Sequence, residues 1–362
     1  MSDETKGAAA SGGADARRRR NTGRITLRDV AAHLGISQIS VSRYFQEPQR
    51  LSEELRERIA GAVAELGYVP NLVAGGLASA RSRVVGMVLP NISGPIFADT
   101  IQSFSDALTA RGYQLLLASS YFSATLEENA VRAFLGWSPA ALVLTSHHHS
   151  AATEKMIEGA NVPVIETWDF QPKRAPIQIG FSHVKVGRLA ARHLVDMGYR
   201  RIAFVQNSLA GDISALDRRD GYIEVMRESG RRPWTFVPTE PQPLRAGRQA
   251  LEALVRRREP ADAIIFANDN LASGALLAAR GAGVSVPDQC AIVGFGDYAF
   301  SEMLSPGLTT IRPPARAIGE LAAETIFGLV ERDRDDPADG APAAPEELFC
   351  ELIQRESTHE VR

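Results

Sequence analysis

Arg218 stands in the run Arg218-Arg219-Asp220-Gly221-Tyr222. A planar guanidinium suits a carboxylate or a pair of vicinal hydroxyls, whereas Arg219 beside it reads as surface charge. In Pro90-Asn91-Ile92-Ser93-Gly94-Pro95-Ile96-Phe97, Asn91 and Ser93 offer polar groups to ligand hydroxyls and Phe97 a face for a sugar ring. The same residues would serve equally well as a loop and a helix cap. The run His147-His148-His149 raises the question of a metal. Adjacent residues on a regular element cannot all face one centre, and no cysteine or distant histidine partner is evident. The run is therefore read as a cleft-edge loop with one histidine near a ligand, and neither a metal nor a cofactor is expected. There is no phosphate-binding glycine loop, no H-E-x-x-H and no G-x-S-x-G, so no catalytic residue is assigned and no enzyme is expected.

The elements that would position these groups are apolar runs alternating with helical patterns. The runs are Val84–Leu89, Tyr113–Ala118, Ala140–Thr145, Val162–Glu166, Arg201–Gln206, Asp262–Ala267 and Ala291–Phe295. Between them lie helical patterns such as Phe97–Arg111, Val184–Met197, Asp217–Ser229 and Leu271–Arg280. Continuous apolar strands alternating with helices imply an α/β fold with parallel sheets covered on both faces. The length of this region predicts two lobes. Arg332–Ala344 reads as a charged loop before a last strand, Leu348–Ile353.

The region before residue 84 differs. Residues 1–23 are rich in Gly, Ala and Ser, end in four arginines, and are expected to be disordered. Thr26 with Asp29 three residues on predicts a capping box. Leu27, Val30, Ala31 and Leu34 then mark one helix face, and Gly35 stops that helix. Ser37 caps a second helix, Gln38–Phe45, with Ile39 or Val41 and Tyr44–Phe45 turned inward. A third follows Ser52, striped by Ile59, Val63 and Leu66. Two short helices joined by a glycine turn and braced by a third make a helix-turn-helix. The domains are thus expected at 1–23 (tail), 24–70 (helix-turn-helix), 71–83 (hinge and linker) and 84–362 (ligand-binding body).

Charge fits this division. The chain of 362 residues carries a net charge of -3. Residues 1–83 hold 13 Lys and Arg against 9 Asp and Glu, and the remainder 27 against 34. A basic head on an acidic body suits contact with phosphates. Two cysteines, no apolar leader and no long apolar span lead to the expectation of a cytoplasmic protein with no membrane partner.

The run ITLRDVAAHLGISQISVSRYFQEPQRLSEELRERIAGAVAELGYVPN resembles the head of the lactose/galactose repressor family of bacterial transcription regulators. The body keeps that family's segment order. GWSPAALVLTSHHHS, PVIETWD, IGFSHVKVGRLAARHLVDMGYRRIAFV and VGFGDYAFSEMLSPGLTTI are most similar to the gluconate-operon repressors. The resemblance implies a two-lobed periplasmic-binding-protein-like sensor behind the helix-turn-helix. Gln38, Ile39 and Arg43 then occupy base-reading positions. Thr26, Ser37, Ser40, Ser42, Tyr68 and Asn71 match positions that contact phosphates or hold the frame. Leu77 matches a leucine that wedges into the minor groove, in a hinge whose Gly75-Gly76 departs from the commoner pattern. In the sensor, Arg218 matches the ligand-binding arginine. Asp269, in Asn268-Asp269, either binds hydroxyls or caps a helix, and Phe295 and Asp297 follow a strand at the cleft. Glu166 and Asp169, after the fourth strand, are weaker candidates. Gly296 stands where many members carry an acid, which favours an anionic ligand. The resemblance thus implies a repressor on operator DNA, a homodimer in the absence of further leucine heptads, released by a small sugar-acid effector. A neutral-sugar sensor, or a regulator acting with a corepressor, is the alternative.

Overall fold

The computed structural model describes residues 25–70, 82–172, 177–209, 211–331 and 346–361. Asn71, Leu77 and the Gly75-Gly76 pair fall outside them, as do the tail and the 332–344 loop. The chain divides into two compact units, 1–80 and 81–362.

In the first unit, α1 (Leu27–Leu34), α2 (Gln38–Gln46) and α3 (Glu53–Leu66) enclose a small core of Val30, Ala31, Val41, Ile59, Ala62 and Tyr68. The caps explain the boundaries. The Thr26 hydroxyl accepts from Asp29 N, and the Asp29 carboxylate accepts from Thr26 N at 2.8 Å, a reciprocal box that satisfies two helix-end donors. Gly35 ends α1 in the left-handed region at φ 67°. Ser37 and Ser52 cap the next two helices.

The second unit holds two six-stranded sheets among the described residues. The first lobe has β1 (Val84–Leu89), β2 (Gln114–Ser119), β3 (Ala141–Thr145), β4 (Val164–Thr167), β5 (Ile177–Gly180) and β11 (Glu346–Glu347). Their order is β11-β5-β4-β3-β1-β2 and every pairing is parallel. The second lobe has β6 (Ile202–Val205), β7 (Trp234–Phe236), β8 (Ala263–Phe266), β9 (Ala291–Phe295), β10 (Thr309–Arg312) and β12 (Glu351–Ile353). The order is β12-β10-β9-β8-β6-β7, with only β12 antiparallel. The central strands are buried on both faces, which is why they read as unbroken apolar runs.

The helices follow in order: α4 (Ala98–Ala110), α5 (Ala124–Gly136), α6 (Ala151–Glu158), α7 (His183–Asp196), α8 (Ile213–Glu228), α9 (Pro243–Val255), α10 (Asp269–Ala282) and α11 (Ala315–Val330). After β10 the chain returns to the first lobe. There α11 packs on α4, with the Thr100 hydroxyl donating to Ala315 O at 2.6 Å and the Ser103 hydroxyl to Arg316 O at 3.0 Å. The single last strand expected over 348–353 is instead two: β11 lies in one sheet and β12 in the other. Leu348 N still bonds Gly180 O, and Phe349, 77 % exposed, lies between the lobes' two edges. No helix among the described residues is long and apolar enough to cross a membrane.

Candidate functional site

On α2, Val41 is fully buried while Gln38, Ile39 and Arg43 are exposed. Of the two residues offered for the core, Val41 takes that role, and Ile39 is 68 % exposed. Gln38 and Ser42, and likewise Ile39 and Arg43, are four residues apart and so share one outward stripe. That stripe combines an amide, an apolar branch and a guanidinium. Ser37 and Ser40 are engaged at the helix start, their hydroxyls 3.0 Å apart, and Tyr68 is in the small core, against Phe45.

The second unit contains a cavity of about 370 Å³ between its two sheets, where strand ends of both lobes meet. This is the size of a small-molecule site. Arg218 forms part of its wall. The buried face of α8 runs Ala215, Arg218, Tyr222, Val225, so the guanidinium is carried on an otherwise apolar stripe and is 6 % exposed. Close approach of α7 makes this geometry possible. A Cβ at Gly187 would overlap Arg218 O, and one at Gly221 would overlap Val184 O. The two helices therefore cross in near backbone contact, and His183, the first residue of α7, lies beside Arg218.

Arg218 Nη1 is 2.8 Å from His183 Nδ1, and Nη2 donates to Ala267 O at 3.1 Å. Its guanidinium carbon stands 4.4 Å from the centroid of the Phe295 ring, a cation–π contact. Arginine can only donate, so His183 Nδ1 accepts and the ring proton resides on Nε2. Burial, helped by the Arg218 charge, pulls the His183 pKa down to about 4, which keeps the ring neutral. Burial also lowers the Arg218 pKa, though far too little to discharge a guanidinium. Among the described residues no carboxylate lies within 4.0 Å of Arg218, and its Nε has no partner. The indole Nε1 of Trp168, another wall residue, is likewise a buried donor without an acceptor.

The acids on the wall are already occupied. Asp212 accepts from Asn207 Nδ2 at 2.6 Å and from Ala215 N at 3.0 Å. Glu127 Oε1 lies 2.7 Å from His149 Nδ1, and His149 Nε2 lies 3.6 Å from Glu166. Burial opposes charge on His149, but the bond to Glu127 and the nearby carboxylate of Glu166 outweigh it and push its pKa up to about 9. The imidazolium is thus a fixed counter-charge for both glutamates. Uncommitted positive charge in the cavity rests on Arg218.

Of the residues expected at the ligand, Asn91, Phe97, Arg218 and Phe295 line the cavity. Four others do not. Ser93 is exposed and donates through its hydroxyl to Asn91 Oδ1 at 2.8 Å. Glu166 is fully buried and accepts from Gln178 Nε2 at 2.9 Å. Asp297 pairs with Arg312 Nε at 2.6 Å and Arg355 Nη2 at 2.8 Å. Asp269 is fully buried at the start of α10, where it accepts from Ser301 and Thr310 hydroxyls at 2.7 Å each and from Tyr298 N. Both readings offered for Asp269 give way. Asn268 is the cap, and Asn268 and Asn270, on either side, face the cavity. Gly296 also has a steric reason to be glycine: its φ is 134° and a Cβ would overlap the Tyr298 ring.

Sequence reasoning did not single out His183, Trp168, Asn207, Asp212 or Tyr298 as wall residues. The Ser182-His183 helix start was the available signal for the first of these. In the histidine run, only His148 lines the cavity. His147 Nδ1 is 2.6 Å from Asp169 Oδ2. Asp169, a carboxylate, thus joins two residues of the run, and among the described residues neither a cysteine nor a distant histidine is part of the group.

A model described as bacterial regulatory proteins of the lacI family matches residues 26–71, and one described as a periplasmic binding protein-like domain matches 191–358. The HTH-type transcriptional regulator GntR of Pseudomonas aeruginosa PAO1 is 34 % identical over 343 residues, 94 % of this chain and 97 % of the relative. The chain belongs to the lacI family. GntR of Escherichia coli K12 is 30 % identical over 314 residues, 87 % of this chain and 94 % of the relative. The crystal structure of a lacI-family regulator from Silicibacter pomeroyi superposes with a TM-score of 0.84 at 29 % identity, covering 92 % of this chain and 98 % of the other. This lacI-family chain is thus a DNA-binding transcriptional repressor with an effector-binding domain, and its relatives are regulators rather than enzymes. Members of the family bind operator DNA and small-molecule effectors, commonly as dimers.

Proposed function

We propose that this chain represses genes for sugar-acid use, and that a gluconate-type acid entering the Arg218 cavity releases it from its operator. The observation that carries this reading is the buried guanidinium with, among the described residues, no carboxylate within 4.0 Å. Leaving a charge uncompensated in a buried site is costly. A ligand carboxylate would supply the missing partner through short charge-assisted bonds. The orphan donors of Arg218 and Trp168 call for a ligand rich in acceptors. Asn91, Asn207, Asn268 and Asn270 suit its hydroxyls, and Phe97, Trp168 and Phe295 its carbon face. The similarity to regulators named GntR and the runs shared with gluconate-operon repressors point to the same class.

Gln38, Ile39 and Arg43 read bases in the major groove, Arg43 pairing with a guanine edge. Thr26, Ser37, Ser40, Ser42, Tyr68 and Asn71 set the register, Leu77 provides the minor-groove wedge, and two chains bind a near-palindrome. Calorimetry of the full chain with gluconate, its 6-phosphate, ketogluconates and glucose tests the ligand class. One of the acids is expected to bind and glucose not to. Binding of glucose alone would establish the neutral-sugar reading instead.

A further inference from the structure

Beside the cavity, His147, His148 and Asp169 bring one donor atom each to within 4.8 Å of one another. The backbone goes out of its way to achieve this. Ser146 and Trp168, the residues immediately before His147 and Asp169, both adopt left-handed conformations, at φ 78° and 67°. Side chains with a Cβ rarely tolerate that region, and such strain gathers at working sites. The two strand ends are tied together there by a bond from Ser146 N to Thr167 O at 2.9 Å. At Gly180 a Cβ would overlap the Asp169 backbone, so glycine is needed for the Asp169 turn to settle against β5. The His147 and His148 ring centroids are 3.8 Å apart with their planes tilted by 39°, so both imidazoles stand on the same side of the loop. His149 faces elsewhere, so the three adjacent histidines do not share one centre. From the second lobe Asp217, one residue before Arg218, brings Oδ2 to 3.6 Å from His148 Nε2.

We propose that His147, His148 and Asp169 form a binding site for a divalent transition-metal ion of the zinc class at the mouth of the cavity, with Asp217 of the opposite lobe as its fourth ligand. Imidazole and carboxylate are a donor set that zinc accepts. Donors around a tetrahedral zinc stand about 3.4 Å apart, as bonds of about 2.1 Å require. In the present cluster the His147, His148 and Asp169 donors lie within 4.8 Å of one another and Asp217 Oδ2 lies 3.6 Å from His148 Nε2. Loading exchanges the 2.6 Å His147–Asp169 bond for two metal bonds. Because the donors come from both lobes, the ion would clasp them across the cleft, next to Arg218 but without using it. His149 takes no part, being held between Glu127 and Glu166.

The test is a calorimetric titration of the chelator-treated full chain with zinc chloride, with cobalt(II) as a visible spectroscopic probe. One equivalent per chain is expected, with ligand-field absorption from the cobalt form. The His147→Ala/His148→Ala pair should abolish this site, and Asp217→Asn should weaken it by about tenfold. Thermal melts show whether each variant stays folded. If the pair unfolds, the Asp217→Asn titration and the cobalt spectrum of the wild type decide. Absence of a stoichiometric site in the wild type, or uptake unchanged in the folded variants, overturns the proposal.

Discussion

Replacing Arg218 with methionine isolates the charge from the packing. The side chain keeps a similar length and still lies over Phe295, while the cation disappears. Two of the five guanidinium N–H groups are engaged, by His183 Nδ1 and Ala267 O, which leaves three for a ligand. A carboxylate accepting two of them forms hydrogen bonds worth about 1.5–3 kcal/mol each to a charged group. Such pairs are not additive, so a net loss of about 3–4 kcal/mol is the working figure, or two to three orders of magnitude in Kd. The bonds to His183 and Ala267 are lost equally from the free and the liganded protein and cancel in the binding comparison. Calorimetry with the cognate acid is the assay, with a thermal melt of each ligand-free protein to confirm folding. Equal acid affinity in wild type and Arg218→Met would refute the reasoning, because it would mean that the buried cation is not what the ligand meets.

Arg43→Ala should reduce the preference for operator over scrambled duplex by about 1–3 kcal/mol while sparing weak non-specific binding, read by titration at one fixed salt concentration. For Gly221→Ala two effects compete: helix propensity would gain about 1 kcal/mol, but the methyl group has no room against Val184 O. Overpacking at about 1–3 kcal/mol should prevail, lowering Tm by several degrees and weakening effector binding through displaced His183. Burial pushes the Asp269 carboxyl up to about 6 from an ordinary 3.8. The folded state therefore holds that proton more tightly than the unfolded one, and the contribution to stability present below pH 3.8 is lost as pH rises through 6. The wild-type advantage over Asp269→Asn should fall by about 2 kcal/mol between pH 4 and pH 7. A difference that stays flat or grows with pH in paired denaturant titrations would show that Asp269 is not the group responsible.

The central strands were legible because burial on both faces leaves no polar alternation: the runs at Val84–Leu89 and Ala291–Phe295 coincide with β1 and β9. The strands β5, β7 and β10 span only four, three and four residues. Gln178 and the Thr309-Thr310 pair interrupt the apolar pattern there, since their polar atoms are satisfied internally. The split of the last segment between two sheets was invisible because strand pairing is non-local, and a run of residues does not say which edge it meets. In the head, cap chemistry is local, so Thr26, Asp29, Gly35, Ser37 and Ser52 fixed the helix boundaries from sequence. Arg218 stood out by its place three residues before Gly221, where it matches the ligand-binding arginine of the family it resembles. Asp269 did not reveal its role, because Asn268-Asp269 places one polar group towards the cavity and the next into the core, and only the Ser301 and Thr310 hydroxyls decide which is which. The histidine run was legible as a loop with one histidine at the cavity, but the pairing of His147 and His148 with Asp169 was not, because Asp169 comes from a separate strand end.

On the proposed function, an acid in the Arg218 cavity and DNA on the Arg43 face would oppose each other, each weakening the other by the same factor. The direct measurement is fluorescence anisotropy of an operator duplex, enriched from a random library on this protein and titrated with gluconate, its 6-phosphate, ketogluconates and glucose. At least one acid is expected to release the duplex from the wild type, glucose is not, and Arg218→Met is expected to hold the duplex at every acid concentration. Release by glucose alone, tighter DNA binding with the acid, or release of the Arg218→Met protein at the same acid concentration would contradict the proposed function.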